Sequence, residues 1–209
     1  MDHKLFPRTS LFDQISFLMV GAIATIIVVL DAAYLFTMPL PVIDLGSALA
    51  WLAIAYFAGH LIQILSNAIR DIPLIPLLGW EATPSYLPHE KKLFEEAKTY
   101  FKQNDQEHKA DYLWNLCYLF AIGKDATGQV ETFSAYYNLY RGWFTALLLE
   151  AILLGYLLVV AYTPTVLAFF LLSLLGSFLF YRRAKRFWQY LNDKVFGIFT
   201  IIKAETTQR

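Results

Sequence analysis

The sequence predicts an all-α integral membrane protein: four transmembrane helices, both termini cytoplasmic, a small helical cytoplasmic cap and a C-terminal amphipathic helix. Three observations predict this fold. Hydrophobic residues make up 57% of the 209 residues and charged residues only 16%, whereas a soluble domain carries about 25% charged residues. Three stretches almost free of charge are long enough to cross a bilayer, which takes about 20 apolar residues. All 17 basic residues lie outside the two predicted external connections, as the positive-inside rule requires.

The first two membrane helices are predicted over residues 15–38 and 46–68. Residues 14–30 contain no Asp, Glu, Lys or Arg, the apolar character resumes after Asp31, and residues 45–69 carry no charge. The first helix is interpreted as an uncleaved anchor. Its apolar run is too long for a signal peptide, contains Asp31 and does not end in a small-residue cleavage site.

The third and fourth membrane helices are predicted over residues 142–162 and 165–181. Glu150 is the only charged residue within this stretch, which is too long for one crossing. The Thr-Pro-Thr sequence at 163–165 divides it into two. Neither this turn nor the connection 39–45 contains Lys or Arg, so both are expected to face the outside, with both termini and the middle segment inside.

The predicted organisation has four parts. Membrane helices occupy residues 1–68 and 142–181, the cytoplasmic cap residues 69–141, and the C-terminal helix residues 182–209. The net charge of zero argues against duplex nucleic acid as a partner. The lipid bilayer is the partner that this composition indicates.

Within the cap, residues 71–80 are expected to lie on the membrane surface, because their prolines disfavour a helix. Helices are predicted over residues 88–103 and 107–122. A third begins at Gln129 and continues unbroken into the membrane. Cys117, the single cysteine, excludes an internal disulfide and is interpreted as an inert core thiol.

The C-terminal helix carries a seam of small and apolar side chains with helical spacing. Two alternatives are open: the helix lies at the membrane interface as an anchor, or it packs with copies of itself or with the cap. The seam consists of Ala184, Trp188, Leu191, Val195, Ile198 and Ile202.

The second membrane helix carries a polar stripe. Its members are spaced 4, 3, 4 and 3 residues apart, which places them on one helix face. Polar side chains facing lipid are costly, so the stripe should face protein or water. The members are Tyr56, His60, Gln63, Asn67 and Arg70.

Glu150 is the second polar outlier, since an ionised acid within a membrane helix costs about 2.5–3.5 kcal/mol on insertion scales. His60 and Glu150 lie at similar distances along the chain from Arg70 and Arg141, respectively. This comparison predicts a His60–Glu150 hydrogen bond, within one chain or between subunits. Asp31 is expected to lie too near the outside to reach that depth.

These intramembrane groups have two interpretations: structural contacts that hold the bundle together, or the lining of a path for ions or protons. The candidate pore-lining or intramembrane polar residues are Tyr56, His60, Gln63, Asn67 and Glu150. Cations near the helix ends form a candidate electropositive surface, for which a plain orientation signal is the simpler explanation. These cations are Arg70, Arg141, Arg182, Arg183, Lys185 and Arg186.

No enzyme motif is found. The sequence lacks a phosphate-binding loop and a nucleophile elbow, and His89-Glu90 lacks the second histidine of a zinc-protease helix. No catalytic residue, metal site or cofactor is therefore predicted. A membrane enzyme that uses His60 with Glu150 as an acid–base pair is a third hypothesis.

Residues 180–190 (FYRRAKRFWQY) and 136–141 (YYNLYR) combine aromatic and basic side chains at the membrane boundary. This texture resembles that of small four-helix bacterial membrane effectors of anti-phage defence, such as the membrane component of Hailong-type systems, which is encoded beside a nucleotidyltransferase. The resemblance covers the C-terminal third and the general layout. It implies an oligomeric ion channel of the cell inner membrane, controlled by a cytoplasmic nucleotide ligand.

Two functional hypotheses follow. The first is a homo-oligomeric ion channel or pore, possible only with several copies because four helices hardly surround a hydrated passage. His60 and Gln63 would form its constriction and Glu150 would brace them. The second is a non-conducting membrane adaptor that docks a soluble partner through the cytoplasmic cap.

Overall fold

A computed structural model describes residues 11–41, 44–70 and 110–207, together with 92, 95–96 and 98–99. The segment predicted over 71–80 and most of the helix predicted over 88–103 lie outside the described residues. The described part is helical and contains no strand. Its helices are α1 (Leu11–Phe36), α2 (Leu45–Arg70), α3 (Ala110–Lys124), α4 (Gln129–Val160) and α5 (Pro164–Thr207).

Four of these helices, α1, α2, α4 and α5, are long and apolar enough to cross a membrane. The predicted helical class and the four candidate spans are therefore confirmed. As predicted, α4 runs without interruption from Gln129 into its apolar part. The fourth span differs from the prediction, because it and the C-terminal helix form a single helix of 44 residues.

Local hydrogen bonds explain where α4 begins. Asp125 Oδ2 accepts a 2.7 Å bond from the Val130 amide, and Oδ1 accepts a 2.9 Å bond from the Thr127 amide. Gly128 between them adopts a positive φ of 67°, which glycine tolerates. Burial opposes ionisation of Asp125, but the hydrogen bonds from Thr127 and Val130 outweigh it and lower the pKa of this carboxyl.

The chain forms two compact units. The first unit comprises residues 1–69 and 135–185, and the second comprises residues 70–134 and 186–209. Helices α4 and α5 each contribute residues to both units. The first unit contains α1, most of α2, and the apolar parts of α4 and α5.

In the first unit, α1 and α2 cross at backbone contact. A Cβ on Gly21 would lie 1.6 Å from the Ala55 carbonyl oxygen, and a Cβ on Gly59 would lie 1.9 Å from the Phe17 carbonyl oxygen. No side chain fits at either position. Ala55 and Gly59, the small residues beside the polar stripe, therefore bring this face of α2 against α1.

The second unit has its own apolar core, which joins α3 and the start of α4 to the C-terminal half of α5. Four residues of the predicted seam of the C-terminal helix take part in this core: Trp188, Leu191, Val195 and Ile198. Burial raises the pKa of the Cys117 thiol to about 11, in keeping with an inert core cysteine. The core residues are Leu113, Cys117, Ala121, Val130, Leu191, Val195, Phe196 and Phe199.

Candidate functional site

Gln63 is the stripe residue that is most firmly held. Its side chain is 8% exposed and connects α2 to α4 through two hydrogen bonds. Gln63 Nε2 donates to the Asn138 carbonyl oxygen over 3.1 Å, and Gln63 Oε1 accepts from Arg141 Nη2 over 3.0 Å. These two bonds fix the orientation of the amide. The stripe does turn towards protein here, and that protein is the same chain.

Other members of the stripe have different environments. The Tyr56 hydroxyl donates to Gln14 Oε1 on α1, yet Tyr56 remains 39% exposed. The His60 ring lies 4.7 Å from the Phe17 ring and 4.6 Å from the Tyr56 ring, measured between centroids. Asn67 is exposed, and the side chain of Arg70 lies outside the described residues. The four described side chains of the stripe therefore share a helix face but differ in burial and in the groups that they contact.

Arg141 is buried, although the sequence predicted that it is part of an exposed electropositive surface. The sequence grouped it with the cations of an electropositive surface, but its side chain is only 6% exposed. Its guanidinium carbon lies 5.1 Å from the centroid of the Tyr137 ring, and Nη2 donates to Gln63. Arg141 Nε is buried without a hydrogen-bond partner among the described residues. This cation thus belongs to the interior of the first unit.

The remaining described cations of that group are exposed: Arg182, Arg183, Lys185 and Arg186. Two of them lie over aromatic rings, as amphipathic cations near a membrane boundary often do. The Arg182 guanidinium is 5.8 Å from the Phe178 ring, and that of Arg183 is 5.7 Å from the Tyr140 ring.

Glu150 has a partner that the sequence analysis excluded. Its side chain lies within hydrogen-bonding reach of Asp31, so the expectation that Asp31 could not reach this depth is wrong. The ring contacts of His60 are with α1 and α2 residues, and Glu150 is engaged by α1.

Counting residues from Arg70 and Arg141 compared the depths of α2 and α4 but did not fix the level of α1, which carries Asp31. Gly142 packs directly on Val20, since a Cβ on Gly142 would lie 2.6 Å from Val20 Cγ2. Asp31 follows Val20 by eleven residues, and Glu150 follows Gly142 by eight. At about 1.5 Å per residue the two levels differ by only about 4.5 Å. Long side chains can span this difference.

Two buried hydroxyl groups were not identified from the sequence. Ser66 Oγ on α2 and Thr25 Oγ1 on α1 are buried without hydrogen-bond partners among the described residues. Ser66 follows Gln63 by three residues and so shares its helix face. That spacing could have added Ser66 to the polar stripe. It was not informative by itself, because a serine in a membrane helix ordinarily bonds to its own backbone.

Comparison of the chain with models of protein families, with curated proteins and with solved structures finds no significant match.

Proposed function

We propose that the chain is a homo-oligomeric membrane ion channel. The observation that carries this proposal is the contact between Asp31 and Glu150, which lie on two helices able to span a membrane. Ionisable residues at such positions are expensive and typically mark ion or proton pathways. Because one set of four helices can hardly surround a hydrated passage, the conducting form contains several copies around an axis.

The contacts of Gln63 change its role in the proposed channel, because the sequence alone suggested that Gln63 lines the passage. Gln63 binds Asn138 and Arg141 within one chain, so in this proposal it stabilises the wall of the channel. Tyr56 and Asn67, which are exposed on α2, are the stripe residues available to face a shared axis. The acidic pair then tunes the ion preference of the passage.

The wider proposal concerns setting and control. Both termini and the second unit lie in the cytoplasm, and the membrane is the bacterial inner membrane. The positive-inside distribution supports this orientation. A cytoplasmic ligand acting on the second unit opens the channel, and the likeness to anti-phage effectors supports a nucleotide ligand and a role in defence.

Reconstitution into planar bilayers tests the channel. We expect single-channel currents from the wild type and a changed cation-to-anion permeability ratio in Glu150→Gln and Asp31→Asn. Ser173→Ala is the matched control, because Ser173 is a buried polar residue of α5 outside the acidic pair. The mass of the detergent-solubilised particle should correspond to several chains. A folded particle that is monomeric, or silent in bilayers, contradicts the proposal.

A second candidate is a non-conducting adaptor that docks a soluble partner through the second unit. The observation that favours it is the contact of Gln63 with Asn138 and Arg141, because here a polar residue of the stripe connects α2 to α4. A stable 1:1 complex with a soluble partner, unchanged by His60→Ala and accompanied by silent bilayers, would support the adaptor over the channel.

A further inference from the structure

The exposed surface of α5 changes abruptly from apolar to cationic. Residues 165–181 contain no Asp, Glu, Lys or Arg, and near the end of this stretch Leu175 and Leu179 are more than half exposed. Three exposed cations, the boundary cations, follow at once: Arg182, Arg183 and Lys185. In a helix long and apolar enough to span a membrane, residues that follow the apolar surface lie at the level of the lipid headgroups.

Aromatic rings of the first unit hold two of the boundary cations in place. The guanidinium carbon of Arg183 lies 5.7 Å from the centroid of the Tyr140 ring on α4, and that ring lies 6.0 Å from the Phe180 ring on α5. The guanidinium carbon of Arg182 lies 5.8 Å from the centroid of the Phe178 ring. Because ring faces attract cations, both guanidinium groups stay beside an aromatic surface while their side chains remain exposed.

The two helix segments that form this surface contain no acidic residue in their sequence. Neither residues 135–149 of α4 nor residues 165–192 of α5 include Asp or Glu. The next acid along α5, Asp193, follows Arg182 by eleven residues, which is about 17 Å along a helix axis. The charge of these segments is therefore positive and complements an anionic partner.

We propose that the boundary cations bind the headgroups of anionic glycerophospholipids, of the phosphatidylglycerol class. Guanidinium groups pair their N–H donors with phosphate oxygens, and the exposed Leu175 and Leu179 meet the acyl chains of the same lipid. A soluble anion would use only the cations, and a choline headgroup would bring its own positive charge against them. The surface is also independent of conduction. Silent bilayers would remove the proposed channel and leave this lipid surface standing.

The experiment measures the melting temperature of the detergent-purified full-length protein in mixed micelles that contain phosphatidylglycerol or phosphatidylcholine with the same acyl chains. A ligand that binds the folded state raises the melting temperature with concentration. We expect phosphatidylglycerol to raise that of the wild type more, with a difference that falls as salt screens the charges. The double variant Arg182→Gln with Arg183→Gln should weaken the apparent phosphatidylglycerol affinity about 30-fold, since each cation near an anionic surface contributes about fivefold.

The matched control is the double variant Lys124→Gln with Lys194→Gln. It also removes two exposed positive charges, so the two double variants have the same net charge, but both of its positions lie in the second unit. It should retain the wild-type affinity for phosphatidylglycerol. Arg182→Gln alone keeps the test decisive if the double arginine variant unfolds in detergent, because it should bind phosphatidylglycerol about fivefold more weakly than the wild type.

Three results would overturn the proposal. The first is equal melting temperatures of the wild type in phosphatidylglycerol and in phosphatidylcholine at the same mole fraction. The second is a phosphatidylglycerol titration of the double arginine variant that matches that of the double lysine control. The third is equal stabilisation by glycerol 3-phosphate in detergent without lipid, lost in the double arginine variant; that pattern would assign the boundary cations to a soluble phosphate.

Discussion

Replacing Gly59 by alanine should disrupt the contact between α1 and α2. The added Cβ would lie 1.9 Å from the Phe17 carbonyl oxygen, whereas ordinary contacts begin at 3.4 Å. The two helices must therefore separate by about 1.5 Å, the difference between these two distances. Overpacking of this kind typically costs about 1–3 kcal/mol. Because the obstacle is backbone, which cannot rotate aside as a side chain does, we expect the upper part of that range.

The assay is thermal or denaturant-induced unfolding of the detergent-solubilised protein, with helicity as the signal. Gly46→Ala is the matched control on the same helix, because a Cβ there meets only Asp44 Oδ1, at 3.6 Å. Gly46→Ala should leave stability unchanged or slightly higher, since alanine favours the helix. If Gly59→Ala were as stable as Gly46→Ala, the close crossing of α1 and α2 would be refuted.

Two further predictions concern the second unit and the start of α4. Asp125→Ala should destabilise the protein by about 0.5–2 kcal/mol, the usual cost of losing a helix-capping side chain, as measured by thermal unfolding at pH 7. The pKa of Asp125 is lowered in the folded state, so its contribution is present above the unfolded-state pKa of about 3.9 and is lost as the pH falls through the folded-state pKa. The difference between wild type and Asp125→Ala should therefore shrink in acid, and a difference that grew in acid would refute this assignment. Cys117 is fully buried, with a pKa of about 11, so maleimide should leave the folded protein unlabelled at pH 7.5 and react only on unfolding. Rapid labelling under native conditions would contradict the core of the second unit.

Periodicity and charge were sufficient to predict much of the helical organisation. The absence of a helix breaker after Gln129 correctly predicted one helix through α4, and the Thr-Pro-Thr turn at 163–165 correctly separated α4 from α5. The seam that contains Leu191 and Val195 was recognised by its spacing. Its partner in α3 was not identifiable, because spacing defines a buried face without naming what covers it.

The candidate site was harder to predict, because its contacts depend on the relative level of different helices. Counting from Arg70 and Arg141 directed attention to His60 as the partner of Glu150, whereas the Val20–Gly142 contact brings Asp31 to the right level. Arg141 was grouped with surface cations, because an orientation rule counts each basic residue equally. Whether a cation faces water or a glutamine on a neighbouring helix depends on tertiary packing alone.

The glycine crossing also restricts which parts of the first unit can move. Where two backbones touch without intervening side chains, as at Gly21 and Gly59, one helix cannot rotate about its own axis without bringing a larger residue into the contact. Helices α1 and α2 therefore behave as a single rigid pair. Rearrangements within the first unit must then involve the surfaces that this pair shares with α4, where side chains such as Gln63 and Arg141 can change rotamer.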